Sequence, residues 1–217
     1  MDSKCFFKNI LKSGAHLGTT PVAPSIFHYI QGYRGRNPLV NVQEIFLLTR
    51  RALIFLNTIY KDGNQILLVN SDPGYSNLVQ FLALKLKQPY VNEAWVGGLL
   101  TNWEQMKFSI TFFRQFDSSL TSAVNQQGKP FPKYLKKRKK FDGIKEMRAL
   151  PAALFLFQTA KNKAILREAK LLKIPIIALV GTSTRALKID YPIPMNTQSI
   201  KSVYVFCQLW WSVVKKM

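Results

Sequence analysis

The sequence predicts an α/β fold built on a parallel sheet that is covered on both faces. Two observations carry this reading. Short, continuously apolar, β-rich runs such as ILLVN at 66–70 and IPIIALV at 174–180 have the composition of strands buried on both sides. Between them stand longer segments whose apolar residues recur three and four apart, the period of a helix with one buried face. Strand–helix–strand alternation gives right-handed βαβ units and therefore a parallel sheet. With 217 residues, 47% of them hydrophobic, the chain can bury one sizeable core.

The elements follow in order. NVQEIFLLTRRALIFLNTIYKDG, from Asn41, reads as a helix capped by Asn41, with Glu44 as the reciprocal acid of a capping box. Ile45, Leu48, Ala52, Phe55 and Ile59 form its buried stripe, and Asp62-Gly63 ends it. ILLVN is the next strand. After Pro73-Gly74, YSNLVQFLALKLK is a second helix, followed by a short strand through Tyr90 and Val91. Thr101 and Glu104 suggest another capping box, opening a helix with Trp103, Met106, Ile110 and Phe113 on one side. From Ser118 to Lys140 there is no acidic residue and no sustained apolar period, which predicts a loop or mobile arm. PAALFLFQ restarts the strand pattern near Leu154, KNKAILREAKLLK is a helix, and IPIIALV is a strand. A closing helix carries Ile200, Val203, Cys207, Trp210 and Val214 in register. The expected organisation is a single α/β domain from 1–104 and 142–217, interrupted by a basic insertion at 105–141.

The charge is lopsided. Against 31 Lys+Arg stand 11 Asp+Glu, a net charge of +20. Folding alone does not need this excess, so an acidic partner is expected, either nucleic acid or an anionic membrane. KYLKKRKKFDGIKEMR places Lys133, Lys136, Lys137, Arg138, Lys139 and Lys140 within eight residues, beside Tyr134 and Phe141, with Lys145 and Arg148 just beyond. Such a run neutralises phosphates and gains from counterion release, while aromatic rings stack on exposed bases. Arg34 and Arg36, in the glycine-rich turn GYRGRNPLV, form a second basic element. No run of about 18 apolar residues predicts a spanning helix, although a peripheral membrane role for the Trp210-Trp211 tail is a minor alternative. The N-terminus has no secretory h-region and resembles no transit peptide, so the expectation is a protein acting where it is made or already mature.

Catalytic chemistry finds little to work with. Cys5 and Cys207, with His16 and His28, lack the paired spacing of a zinc ribbon, and Cys207 reads as a core residue. Acids are too few to assemble a general acid–base pair readily. NSDPGY is no dinucleotide fingerprint, no G-x-S-x-G elbow occurs, and His16 reads as packed or hydrogen-bonded. GTSTR at 181–185 follows a strand, where doubly wound sheets place ligands. It is either an ordinary strand-to-helix loop or the phosphate site of a nucleotide-using α/β enzyme, the alternative function.

The stretch NEAWVGGLLTNW at 92–103 resembles the W-x-G-G-x-L-T-N signature of the small-subunit ribosomal protein two family, matched by Trp95, Gly97, Gly98, Leu100, Thr101 and Asn102. Trp103 follows directly. LKSGAHLG matches the family's Gly-x-His-x-Gly through Gly14, His16 and Gly18. YIQGYRGRNPLVNVQEI, FDGIKEMRALPAALFLFQ, ILREAKLLKIPIIALV and DYPIPMNTQSIKSV resemble further family segments in the family's order. The resemblance implies a flavodoxin-like three-layer fold with a parallel sheet of about five strands and a short basic helical or loop insertion. It implies a structural, non-enzymatic constituent of the small ribosomal subunit that binds ribosomal RNA and neighbouring ribosomal proteins. No cofactor, metal, membrane or homo-oligomeric partner is expected. The insertion is shorter than the family's arm, and GTSTRAL and MNTQ stand where the family usually carries acids. These departures, with the Phe, Leu, Ile and Lys content, suggest a mitochondrial member, with a chloroplast member as the alternative. Gly97-Gly98 is read two ways: as an architectural turn anchored by Trp95 and Trp103, or as a bare helix start that phosphate approaches directly.

Overall fold

The computed structural model describes residues 3–92, 95–124, 132–159, 162–184 and 189–215, with side chains at 118–124, 132–133 and 136–137 outside the description. Five parallel strands make the main sheet: β3 (Ile66–Val69), β4 (Tyr90–Val91), β5 (Ala153–Leu156), β6 (Ile176–Val180) and β7 (Tyr191–Pro194). Their spatial order is β4-β3-β5-β6-β7. Counted from the first strand of this sheet, that is the 2-1-3-4-5 order of flavodoxin-like proteins. The chain begins with α1 (Ser3–Ser13) and an antiparallel hairpin, β1 (Ile30–Arg34) and β2 (Asn37–Val40).

Alternation along each strand divides the core in two. Ile66 and Leu68, Ala153 and Phe155, and Ile177 and Leu179 face one side, where α2 (Val42–Lys61), α3 (Ser76–Leu86) and α7 (Ile200–Lys215) cover them. Leu67 and Val69, Leu154 and Leu156, and Ile176, Ala178 and Val180 face the other. There α6 (Lys163–Leu171), the start of α4 (Trp103–Val124) and the 95–100 turn pack. Phe155 lies at the centre of the first layer, stacked on Phe206 at 5.1 Å and tilted against Trp210 at 5.0 Å. Rings at these separations add to the area they bury.

Several details depart from the sequence expectation. Asn41 does cap α2, its side chain accepting from the Gln43 N–H at 2.9 Å, but the Asn41 N–H goes to the Tyr29 carbonyl. No reciprocal bond from Glu44 is then needed, and the cap joins α2 to the segment before β1. The stripe of α2 is Ile45, Thr49, Ala52, Leu53, Leu56 and Ile59, while Leu48 and Phe55 are only half-buried. On α7, Ile200 is 57% exposed, and Ser202 and Phe206 share the face with Val203, Cys207, Trp210 and Val214. Burial pushes the Cys207 thiol far above its ordinary range, leaving it inert.

The expected loop or arm over 118–140 is largely helical. Helix α4 runs on to Val124, and α5 (Pro132–Phe141) follows; residues 125–131 lie outside the described ones. The two helices are joined by packing that a scan for period along one helix misses. Phe113 stacks on Tyr134 and tilts against Phe141, while Asp117 accepts from the Tyr134 hydroxyl and lies 4.0 Å from Arg138. The sequence marks β7 only through its YPIP motif. Its two prolines donate no ladder bonds, which an edge strand tolerates.

Candidate nucleic-acid interface and a carboxylate-locked turn

The Gly-Gly segment is held by a carboxylate from another element. Glu168, on α6 and only 8% exposed, aims both oxygens into the 95–101 turn. Oε1 accepts from the Trp95 ring N–H at 2.9 Å and the Gly98 N–H at 3.0 Å. Oε2 accepts from Leu100 at 3.1 Å and, at a long 3.5 Å, from Thr101. Burial pushes the Glu168 pKa up, but these hydrogen bonds together outweigh it and hold the carboxyl below its usual range. The turn then passes into α4, which begins at Trp103, itself 8% exposed. Met106 donates the first helical bond to the Asn102 carbonyl. Glu168 therefore holds the turn ahead of α4 and accepts from none of the helix's own first-turn N–H groups, and Thr101 stands one residue outside the position a Thr101–Glu104 box requires.

This arrangement gives the glycine turn an internal partner. The N–H groups of 98, 100 and 101 already serve an internal anion, so they are not free to take a phosphate. Gly98 sits at φ +81, where an L side chain is strained, whereas a Cβ on Gly97 meets nothing within 4 Å. Gly98→Ala is expected to cost about 1–2 kcal/mol. Gly97→Ala should be neutral or stabilise by up to about 1 kcal/mol through the unfolded chain. Urea titration of the two variants checks this, and a larger loss for Gly97→Ala would refute the assignment.

Sequence reasoning did not single out Glu168, although a signal was present. Ile165, Glu168 and Ala169 share the buried stripe of α6, so one of only 11 acids occupies an apolar face. A lone acid at such a position asks for donors.

At the two loops where a sheet of this order could take a small ligand, described side chains bond to neighbouring segments of the chain. In the 181–184 loop, the Thr182 hydroxyl donates to the Thr19 carbonyl and accepts from the Thr19 N–H, both at 2.7 Å. A Cβ on Gly18 would lie 2.5 Å from Thr182 and 2.8 Å from Pro38, so glycine is what lets these segments meet. Arg185 lies outside the described residues. At the switch point between β3 and β5, Asn70 donates to Asn92 and the Asp72 carbonyl, Gln158 donates to Asp72, and Ser71 donates to Asn162. These internal bonds engage the polar side chains that a nucleotide site would use, so the nucleotide-enzyme alternative is not favoured. Gly14 follows α1, and the partly buried His16 accepts the Val40 N–H through its backbone carbonyl. Among the described residues no group of three or more His, Cys, Asp or Glu could hold a metal, and no helix is long and apolar enough to cross a membrane.

The cations named from sequence fall on three elements. Arg34 ends β1 and Arg36 lies in the turn after it, both exposed. Lys133, Lys136 and Lys137 are on α5, with side chains outside the description; Lys139 and Lys140 on the same helix are exposed. Arg138 is half-exposed and lies beside Asp117. Lys145 pairs with Asp142 at 3.0 Å, and Arg148 is exposed. Lys107 and Arg114 on α4, which sequence reasoning did not name, flank the same cavity as Lys145 and Arg148.

A flavodoxin-ordered parallel sheet with exposed cations on an attached helical pair defines a strongly basic α/β protein. Comparison with known sequences makes this specific. The model of the family "Ribosomal protein S2" matches residues 10–216. The chain is 33% identical over 208 residues to the small ribosomal subunit protein uS2m of Marchantia polymorpha, covering 93% of this chain and 87% of that one. It is 32% identical over 213 residues to uS2 of Ehrlichia ruminantium (strain Gardel), covering 95% and 74%, and 31% identical over 211 residues to uS2 of Acidiphilium cryptum (strain JF-5), covering 93% and 82%. The chain belongs to the ribosomal protein S2 family, and its role is that of a structural constituent of the small ribosomal subunit.

Proposed function

We propose that the chain serves in the small subunit of the mitochondrial ribosome, where it binds ribosomal RNA and neighbouring ribosomal proteins and performs no catalysis of its own. The observation that carries the RNA reading is the exposed cationic surface on and beside the α4–α5 pair, in a chain of net charge +20. A surface of this kind gains affinity by releasing counterions from the phosphate backbone. Residues 105–141 act as a basic arm on the single α/β domain formed by 1–104 and 142–217. Within it, Lys133, Lys136, Lys137, Lys139 and Lys140 contact phosphates, with Lys145, Arg148, Arg34 and Arg36 on flanking elements. Arg138 divides its charge between RNA and Asp117. The motif residues Gly14, His16, Gly18, Trp95, Gly97, Gly98, Thr101, Asn102 and Trp103 are architectural. The match to uS2m supports the mitochondrial assignment, although bacterial uS2 proteins are similar to nearly the same degree.

The protein is read as a single copy within the particle, with no membrane association. Gradient sedimentation of organelle lysates tests the assignment. The chain is expected to travel with the mitochondrial small subunit. Recovery only in free, low-mass fractions would overturn the ribosomal reading, and recovery in a chloroplast particle would overturn the compartment alone.

A further inference from the structure

Outside the α5 run, cations from two elements converge on one concave site. Lys107 and Arg114 are seven residues apart on α4 and so lie on one side of that helix. Lys145 and Arg148 come from the segment after the short 3-10 turn at Asp142–Ile144. With Thr111 they surround a cavity of about 340 Å³ floored by the buried Ile110 and Met147. None of the described lining residues is acidic. Asp142 engages Lys145, but Lys107, Arg114 and Arg148 have no ion pair among the described residues. The Thr111 hydroxyl donates to the Lys107 carbonyl at 2.9 Å, so recognition of an anion falls to the charged groups.

Lys107, Arg114 and Arg148, without an ion pair among the described residues, repel each other around the hollow, and an anion seated among them turns that repulsion into attraction. Arg114 and Arg148 bring planar forks suited to phosphate oxygens, and Lys107 brings a mobile point charge. The hollow is roomier than one phosphate group needs and suits a bend of sugar–phosphate backbone. It lies on α4, the first helix of the arm, which also carries exposed Lys139 and Lys140 on α5.

We propose that this cavity is a phosphate-binding site for the RNA backbone, formed by Lys107, Arg114 and Arg148 with support from Lys145. The proposal rests on the RNA-binding reading above, and its test lets the two fail separately. Affinity of the full chain for a transcript of small-subunit ribosomal RNA is measured across a potassium chloride series. The proteins compared are wild type, K107Q/R114Q, R148Q and K139Q/K140Q. Each neutralised phosphate contributes about 0.7–0.9 to the slope of log affinity against log salt. The slope is expected to fall by about 1.5 in K107Q/R114Q and by about 0.8 in R148Q, with melting temperatures unchanged. Because R148Q changes the opposite wall, it keeps the test valid if the double variant folds poorly.

If wild type binds and K139Q/K140Q weakens the slope while both cavity variants keep it, the cavity assignment is overturned and the RNA reading stands. No binding by wild type overturns both. Inorganic phosphate alone provides a further arm. If it raises the wild-type melting temperature, the cavity variants lose that effect, and the RNA slope stays the same, the hollow takes a free anion and the backbone assignment is overturned.

Discussion

Glu168→Gln is expected to lower the stability of the folded chain by about 2–3 kcal/mol, and Glu168→Ala by about 3–5 kcal/mol. The isosteric change keeps one acceptor for Trp95 and Gly98 but turns an amide NH2 towards Leu100 and Thr101, whose N–H groups are also donors. The buried Leu100 N–H then loses its partner without gaining water. Alanine leaves all four donors unanswered and opens a void beside Trp95. Urea titrations read both losses as a lower midpoint at constant slope; values within 0.5 kcal/mol of wild type would refute the lock.

The same contact makes a pH prediction. The folded-state pKa of Glu168 is depressed, so its stabilisation is fully present above the ordinary glutamate value and is lost as pH falls through the folded pKa. The wild-type advantage over Glu168→Gln should therefore hold at neutral pH and shrink as pH drops below about 4.3. A gap that widens with acid would contradict the sign.

The second large effect belongs to the arm. Replacing Lys136, Lys137, Arg138, Lys139 and Lys140 together with glutamine should reduce the salt slope of RNA affinity by about 3–4, since each phosphate contact contributes about 0.7–0.9. Arg138 contributes least, because Asp117 already faces it. Loss of fold is a weak explanation for such a change: positions 136 and 140 are four apart on α5, where like charges destabilise a helix by about 0.2–0.5 kcal/mol, so glutamine relieves repulsion. Circular dichroism should show the helix content retained or raised. An unchanged slope would mean that α5 does not touch the backbone.

The sheet strands most readily seen in the sequence, β3, β5 and β6, are those buried on both faces, where hydrophobicity needs no partner to be recognised. Strand β7 was less visible because YPIP owes its place to an edge with a free side, a property of the sheet and not of the segment. Within helices the mean face was legible but its centre was displaced. Leu48 yielded to Thr49, and Ile200 to Ser202, because the angle at which neighbouring layers meet decides which row sits deepest. From local pattern alone α5 is left open between helix and loop, since its contacts with α4 are made across the arm and its own composition is almost wholly cationic.

The candidate interface divides in the same way. The α5 run and the Arg34–Arg36 turn are contiguous in sequence and could be named directly. Lys107 and Arg114 are unremarkable on α4 until folding sets them opposite Arg148. Glu168 lies 70 positions from Gly98, and no local pattern announces such a partner.

Composition and periodicity by themselves determined the α/β class and the cationic excess, because each is a property of local runs or of the whole sum of residues, and the ordered motifs around Trp95–Asn102 pointed to the family. Only the tertiary structure decided that a buried acid closes the glycine turn and that α4 shares a cationic hollow with the 145–148 segment. Electrostatic and hydrogen-bonding partners act over a few ångströms of space, and distance along the chain does not record that separation.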